Sequence, residues 1–549
     1  MNTRNVACIA ILLCGLRPTL VRAGEEPASP IFLVGVGDSL THGTMDATNN
    51  FVATANAYLA RVFYSMRLAR PTHFVQPFLN FQENRFDPFA IPTNLGVDGA
   101  DVFSLEGLEY GKRVGSAVDA PSTSLLADQP WPIGDKYDKV LYPLNLVTGE
   151  PTSQVDAAAW LLNAWGPFLG MDRAAVVLWI GNNDASTAAL GTGGRNPVYQ
   201  PIPLFQIAPE IDPDAFWLLL IGAIFEEISF EPYSLPALER NLTDLDDFIA
   251  QYGNVLTRLQ VETASSSLDI DFFALTLPYY SAVGYLMDSD DLEHYLRKID
   301  PNYMVPPSFQ RVSLPDVPLS GDRISLLTFG FMYALLDTGY SIAHVNSILE
   351  VNGQQQDGLV LSESEQAFIM ERIDGFNDAI KSLAAAHGDK VHVIDVGRDL
   401  NDALLGKTAV AVGGRALSRK WMRGSAFTFD GVHPGYTGQT FIANSVLREI
   451  QTTLGLAVPL YDLDEAFASD PYVDRDGDGW APGPSWTAPG ITELLHFFKD
   501  PDDGSPAIGP ELPDDFWKRI SDILLSQIAE IPAVLAEAEA AGIPIERRQ

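Results

Sequence analysis

Cysteine is nearly missing from this chain of 549 residues: the 2 present, Cys8 and Cys14, both fall in the first 23 positions. Beyond them no disulfide framework and no cysteine-ligated metal centre can form, so stability has to come from a core or from hard-ligand metals. Basic residues are also scarce, with 35 Lys+Arg against 71 Asp+Glu and a formal net charge of -36. A surface that acidic repels phosphate backbones, which argues against a nucleic-acid partner. Long apolar runs are missing as well. Val6–Leu16 and Phe216–Phe225 are both shorter than the ~20 residues a membrane-spanning helix needs. No repeat of 20–50 residues and no long low-complexity tract occurs.

What is present is a globular composition. Hydrophobic residues make up 46% and charged residues 19%, which excludes a disordered or fibrous chain. The N-terminal stretch MNTRNVACIAILLCGLRPTLVRA pairs Arg4 with a short apolar run and ends Val21-Arg22-Ala23. That is the pattern of a secretory signal cleaved after Ala23 and implies a secreted, periplasmic or cell-surface protein. Residues 1–23 contain three arginines and no acid, so cleavage leaves the chain more acidic still.

Four apolar, β-rich segments recur: Ile31–Val36, Ala174–Ile180, Ile270–Leu277 and Val391–Val396. Helical periodicity marks residues 54–70, Leu238–Leu259, Ser362–Ala386 and Thr437–Leu454. Strands alternating with helices predict a parallel sheet covered on both faces. Long stretches of other character interrupt the alternation, at about 101–171, 191–236 and 288–358. Such insertions sit as walls and lids at the carboxyl ends of the strands. Phe216–Phe225 within the second reads as a buried helix or as a lid over an acyl pocket. After about residue 457 the composition shifts to an acidic, Gly/Pro-rich linker, Val473–Pro484, and a helical tail over 513–541.

The chemistry concentrates at strand ends. Gly37-Asp38-Ser39-Leu40 follows the first strand and places a serine where a helix opens. By itself such a serine is more often a helix N-cap than a nucleophile. A nucleophilic serine needs a base, and the base needs an acceptor for its other ring nitrogen. Asp430-Gly431-Val432-His433 supplies both, three residues apart, on a turn before a helix. Of the 8 histidines, His42 lies too close to Ser39 on one turn to serve. His73, His294, His344, His387, His392 and His496 lack an aspartate at this spacing. Gly181-Asn182-Asn183-Asp184, after the second strand, brings an amide able to donate to a developing oxyanion, and a glycine turn at Asn94–Ala100 adds a backbone N–H.

Taken in order, these four segments resemble the blocks of the GDSL or SGNH hydrolase family. The resemblance implies a flavodoxin-like three-layer α/β/α sandwich. It also implies Ser39 as nucleophile, His433 as base and Asp430 as its orienting acid. The oxyanion hole would be the backbone N–H groups of Ser39 and Gly99 with the Asn183 side chain, and Asp38 would be structural. It covers the scaffold of residues 24–456 and not the insertions, which set substrate shape. The activity implied is hydrolysis of a small-molecule, lipid or glycan carboxylic ester with no cofactor required for catalysis. The same three residues would also serve a carbohydrate O-deacetylase or an acyltransferase. A calcium-dependent surface protein with an idle hydrolase scaffold is the rival from another class.

One acidic loop stands apart. Asp474, Asp476 and Asp478 alternate ahead of Gly479, like the start of a calcium loop. Ser485 occupies the twelfth position where an EF-hand has Glu, so a shorter structural Ca²⁺ loop completed by Asp470 or a distant acid is the expectation. Asp290-Asp291-Leu292-Glu293-His294 reads as an exposed acidic helix face.

Overall fold

The computed structural model describes residues 29–500 except 130–133, 150, 192–232, 314–319 and 356–357, together with 509–510, 512–517, 519–520 and 523. The expected signal peptide, the run Phe216–Phe225 and most of the expected helical tail lie outside the described residues.

Five strands form the central sheet: β1 (Ile31–Gly37), β2 (Thr72–His73), β3 (Arg173–Trp179), β4 (Asp269–Leu275) and β5 (Val391–Ile394). Their order is β5-β4-β3-β1-β2 and every pairing is parallel. β1 and β3 are buried on both faces, apart from half-buried Arg173, which is why they read as unbroken apolar runs rather than alternating ones. β2 escaped the sequence reading because two residues at a sheet edge carry no periodicity.

Helices cover both faces, giving a three-layer α/β/α sandwich. In chain order the principal ones are α1 (Ser39–His42), α2 (Tyr58–Ala69), α3 (Gln154–Trp160), α4 (Asn183–Leu190), α5 (Leu245–Thr263), α6 (Ser289–Ile299), α7 (Leu326–Asp337), α8 (Glu363–Ala386), α9 (Val396–Leu404), α10 (Tyr436–Leu454) and α11 (Ile491–Leu495). α2, α9 and α10 pack together in one layer, and α3, α5 and α8 in the other. Ser362 caps α8 through a reciprocal capping box with Glu365, so this helix begins where its sequence signal does.

Two expected helices are broken. A separate turn, Phe51–Thr54, precedes α2, because Asn50 caps it and Ala57 starts α2 afresh. Leu238–Leu259 is split at 242–244. There the Thr243 N–H and hydroxyl both donate to Asp184, each at 2.8 Å, which pulls the chain out of helical register.

The chain runs from β1 out to β2 and then back across to β3. The crevice beyond the carboxyl ends of β1 and β3 is therefore the switch point of the sheet, where ligands bind in open α/β folds. The segment after residue 457, expected as linker and tail, is docked on this scaffold as far as residue 500. Val473, Trp480 and Ala481 are buried, and Asn444 on α10 exchanges two hydrogen bonds with Tyr461.

Candidate active site

β1 ends at Gly37, where a Cβ would overlap the Trp179 carbonyl oxygen of β3. Only glycine lets the two strand ends close up here. The next residue, buried Asp38, caps α1 by accepting from the Leu40 N–H at 2.9 Å. Ser39 is thus the first residue of the helix rather than its cap, and its hydroxyl is left for other work. Asp38 also accepts from Asn182 Nδ2 at 2.9 Å, tying the ends of β1 and β3 together. Burial raises its carboxyl to about 6, against the two hydrogen bonds.

Ser39 and His433 are 394 positions apart, yet Ser39 Oγ lies 3.0 Å from His433 Nε2. On the other side of the ring, His433 Nδ1 lies 2.7 Å from Asp430 Oδ2. The turn that makes this possible is tied by Asp430 itself. Its Oδ1 accepts from the N–H groups of Val432 and His433, both at 2.8 Å, and from the Thr428 hydroxyl at 2.9 Å. Its Oδ2 also accepts from the Ala47 N–H at 2.7 Å. Burial opposes the charge on Asp430, but the His433 cation and these donors prevail and hold its carboxyl below the ordinary 3.8. His433 is shifted the other way: burial lowers it, and the stronger pull of Asp430 leaves it above 6.5. The imidazolium form is therefore stabilised where a proton in transit needs it.

Gly99 and Asn183 line the same pocket as Ser39 and His433. Gly99 sits at φ +70°, a left-handed conformation suited to glycine. Among the described residues neither the Ser39 N–H nor the Gly99 N–H donates within the protein. Asn183 Nδ2 gives one hydrogen to the Ala100 carbonyl at 2.9 Å, and Asn183 Oδ1 accepts from Ser186 Oγ at 3.0 Å. Those bonds orient the amide and leave its second hydrogen for the pocket. The cavity holds about 200 Å³. Away from the polar end its walls are apolar, with Trp179, Val283, Leu400, Leu404, Leu417 and Phe427.

Several residues that build this site have no local signature. Asp46 and Ala47 adopt left-handed backbone conformations (φ 56° and 52°) and present the Ala47 N–H to Asp430. Asp46 is pinned from a distant part of the chain: Thr492 Oγ1 donates to its carbonyl at 2.7 Å, and His496 Nε2 meets its carboxylate. His496 thus has an aspartate partner after all, 450 positions away, and His392 has one in Asp271 at 3.1 Å. His42 is buried with Nδ1 on the Gly96 carbonyl at 2.8 Å and takes no part.

Of the two acidic segments, the one expected to be exposed is so only at Asp290. Asp288 caps α6, and Asp291 and Glu293 are buried on it. Arg323, Arg419, Lys420 and Arg423 surround Asp288, Asp290 and Asp291. The face is an ion-pair core because the basic residues of a loop at 419–423 fold onto it. Asp474, Asp476 and Asp478 each bring one carboxylate oxygen within 4.8 Å of the others. Their nearest cation is Arg415, 3.8 Å from Asp474. The loop is braced by bonds from the Gly477 and Gly479 N–H groups to Asp474 at 2.7 and 2.9 Å. Asp470 is absorbed elsewhere, by the Thr437 N–H and hydroxyl and by the Tyr472 N–H, so it does not complete the loop.

No protein-family model matches the chain, and no curated protein does. Among solved structures, a phospholipase A1 from Streptomyces albidoflavus NA297 aligns at 11% identity and a TM-score of 0.28, over 78% of this chain and 99% of that one. An extracellular lipase from Streptomyces rimosus aligns at 12% identity and the same TM-score, over 78% of this chain and 100% of that one.

Proposed function

We propose that the protein is a serine hydrolase of carboxylic esters, with Ser39 as nucleophile, His433 as general base and Asp430 as its orienting acid. The observation that carries the proposal is the unbroken relay Ser39 Oγ–His433 Nε2 at 3.0 Å and His433 Nδ1–Asp430 Oδ2 at 2.7 Å, opening on an apolar cavity. His433 takes the Ser39 proton as Oγ attacks the ester carbonyl. The carbonyl oxygen, now negative, is held by the N–H groups of Ser39 and Gly99 and by the Asn183 amide. His433 returns the proton to the alcohol oxygen as the C–O bond breaks. Water then attacks the acyl-enzyme by the same route and frees the acid and Ser39. No cofactor enters these steps.

The apolar walls favour a hydrocarbon acyl group over the acetyl group of a glycan, since polar side chains of the lining such as Asn182, Tyr279 and Tyr280 already donate within the protein and leave little to replace the water lost by sugar hydroxyls. The N-terminal export pattern supports a site of action outside the cytoplasm. The test is hydrolysis of p-nitrophenyl butyrate together with fluorophosphonate labelling. The native protein should turn over the ester and take the label, and Ser39→Ala should do neither. Near-native turnover by a folded Ser39→Ala would end the proposal.

A further inference from the structure

A second cavity lies beyond His433. It holds about 180 Å³ and shares Leu190, Val432 and His433 with the first, but it touches none of the oxyanion donors and not Ser39. Its remaining walls are Ala47, Tyr285, Leu326, Leu327, Ile491 and Leu495, with Asp430 behind His433. The two cavities therefore meet at the imidazole, and only the first includes Ser39 and the oxyanion donors.

That placement has a chemical meaning, which rests on the ester-hydrolase reading above. The proton His433 takes from Ser39 is delivered to the alcohol oxygen, so the leaving group must lie on the imidazole side of the scissile bond. The acyl group stays with the donors in the first cavity. We propose that the second cavity is the subsite for the alcohol half of the ester, and that it takes a hydrocarbon group. Among the described residues Tyr285 is the one wall residue with a polar side-chain atom besides the Asp430–His433 pair, and its hydroxyl is directed to the Leu190 carbonyl at 3.3 Å. A polyol or sugar alcohol entering here would shed water and find no replacement partner. A methylene chain gains about fourfold in binding for each group fully buried.

The walls not shared with the first cavity come from four parts of the chain: the loop at Ala47, the segment at Tyr285, the start of α7, and α11 of the C-terminal segment. Thr492, between the two wall residues of α11, is the residue bonded to the Asp46 carbonyl. The docking of the C-terminal segment thereby acquires a role: it closes the alcohol side of the site.

The experiment uses butyrate esters of ethanol, butan-1-ol and hexan-1-ol with the full-length protein. The expected kcat/KM rises roughly tenfold or more from ethyl to hexyl. Leu327→Trp and Ile491→Trp, which fill the cavity, should flatten that rise while the dependence on acyl length, read with p-nitrophenyl acetate and hexanoate, persists. Where a variant fails to fold, inhibition of the native protein by the free alcohols gives the same reading, with hexan-1-ol strongest. The hydrocarbon has two sources, a fatty alcohol or the second acyl chain of a diacyl lipid. A gain confined to dibutyroyl over monobutyroyl glycerolipids would assign the latter, and a gain across the alkyl esters the former. Equal rates for all alcohols in both series would overturn the subsite. Failure to cleave any ester, the p-nitrophenyl esters included, would instead overturn the hydrolase reading.

Discussion

The molecule contains two buried aspartate–histidine pairs joined through one loop, and they end in opposite states. In Asp430–His433 the carboxyl is held below its ordinary value and the imidazole above its own. In Asp46–His496 burial raises the carboxyl well above 3.8, and burial with the nearby Lys499 lowers the imidazole to about 3. The residue types are the same, so the difference lies in the surroundings. Asp430 accepts four hydrogen bonds besides that of its histidine, whereas Asp46 Oδ1 is buried with no partner. A carboxylate with that many donors stays charged inside a protein and can stabilise an imidazolium; one without them resists ionisation and serves as a brace. The pairs are also linked in series: Asp46 fixes the loop whose Ala47 N–H helps keep Asp430 charged.

Removing each histidine should separate the two roles most sharply. His433→Ala is expected to lower kcat by roughly 10⁴–10⁶-fold with the fold intact, the cost of losing the base for an alcohol nucleophile. His496→Ala should keep measurable turnover and lose about 1–3 kcal/mol of stability, because it strips a buried polar partner. Urea denaturation beside ester kinetics reads both. Equal losses of activity would erase the distinction between the pairs.

The aspartates should differ next, in pH as well as rate. Asp430→Asn is expected to cost about 10⁴-fold in kcat. In the native protein the acidic limb of kcat/KM should lie above 6.5, since His433 must be neutral to accept the proton and its value is raised; in Asp430→Asn the limb should move down. Stability slopes should oppose each other. The lowered Asp430 stabilises the fold above 3.8, and that contribution fades as pH falls through its folded value. The raised Asp46 works the other way, its folded form losing stability as pH climbs from 3.8 toward its folded value. Asp46→Asn should therefore remove a downward slope above 3.8, and Asp430→Asn an upward one below it, in melting temperature against pH.

The link between the pairs is tested by Thr492→Val, which keeps the shape and deletes the hydroxyl that holds Asp46. A several-fold fall in kcat with KM unchanged is expected, and Thr492→Ser should restore it. A loss of stability alone, with kcat intact, would leave the C-terminal segment as packing only.

How much of this was readable in the sequence follows the range of the interactions. Ser39 stood out because it sits on a strand-end turn, and the Asp430–His433 pair because it sits on a turn before a helix; β1 and β3 stood out because strands buried on both faces are continuous apolar runs, and β4 and β5 because each keeps a short β-rich apolar stretch. Asn182, tied to Asp38 at 144 positions, and Thr492, tied to Asp46 at 446, are specified only by tertiary contact. No spacing rule reaches that far. The acidic stretch at Asp290–His294 misled for the same reason: the partners of its acids, apart from Arg297 one turn on in α6, lie beyond its own helix, in Arg311 and the 419–423 loop.

That acidic stretch sets up the smallest expected effect. Both Asp288–Asp291 and Asp474–Asp478 gather three carboxylates, yet the first is ringed by close cations while the second meets, among the described residues, Arg415 at 3.8 Å. Asp288 is held well below 3.8 chiefly by Arg419, Arg323 and Lys420 against its burial. Burial instead raises Asp478 to about 6, and one of its oxygens is buried without a partner. A divalent cation at the first cluster would have to expel arginines; at the second it would relieve carboxylates that repel one another. Calcium is therefore expected to raise the melting temperature of the native protein by a few degrees at concentrations well above its Kd, and not that of Asp476→Ala. Asp290→Ala, in the neutralised cluster, should keep the full response. A response that survives Asp476→Ala would place the ion elsewhere, and no response in the native protein would leave the loop a self-braced turn.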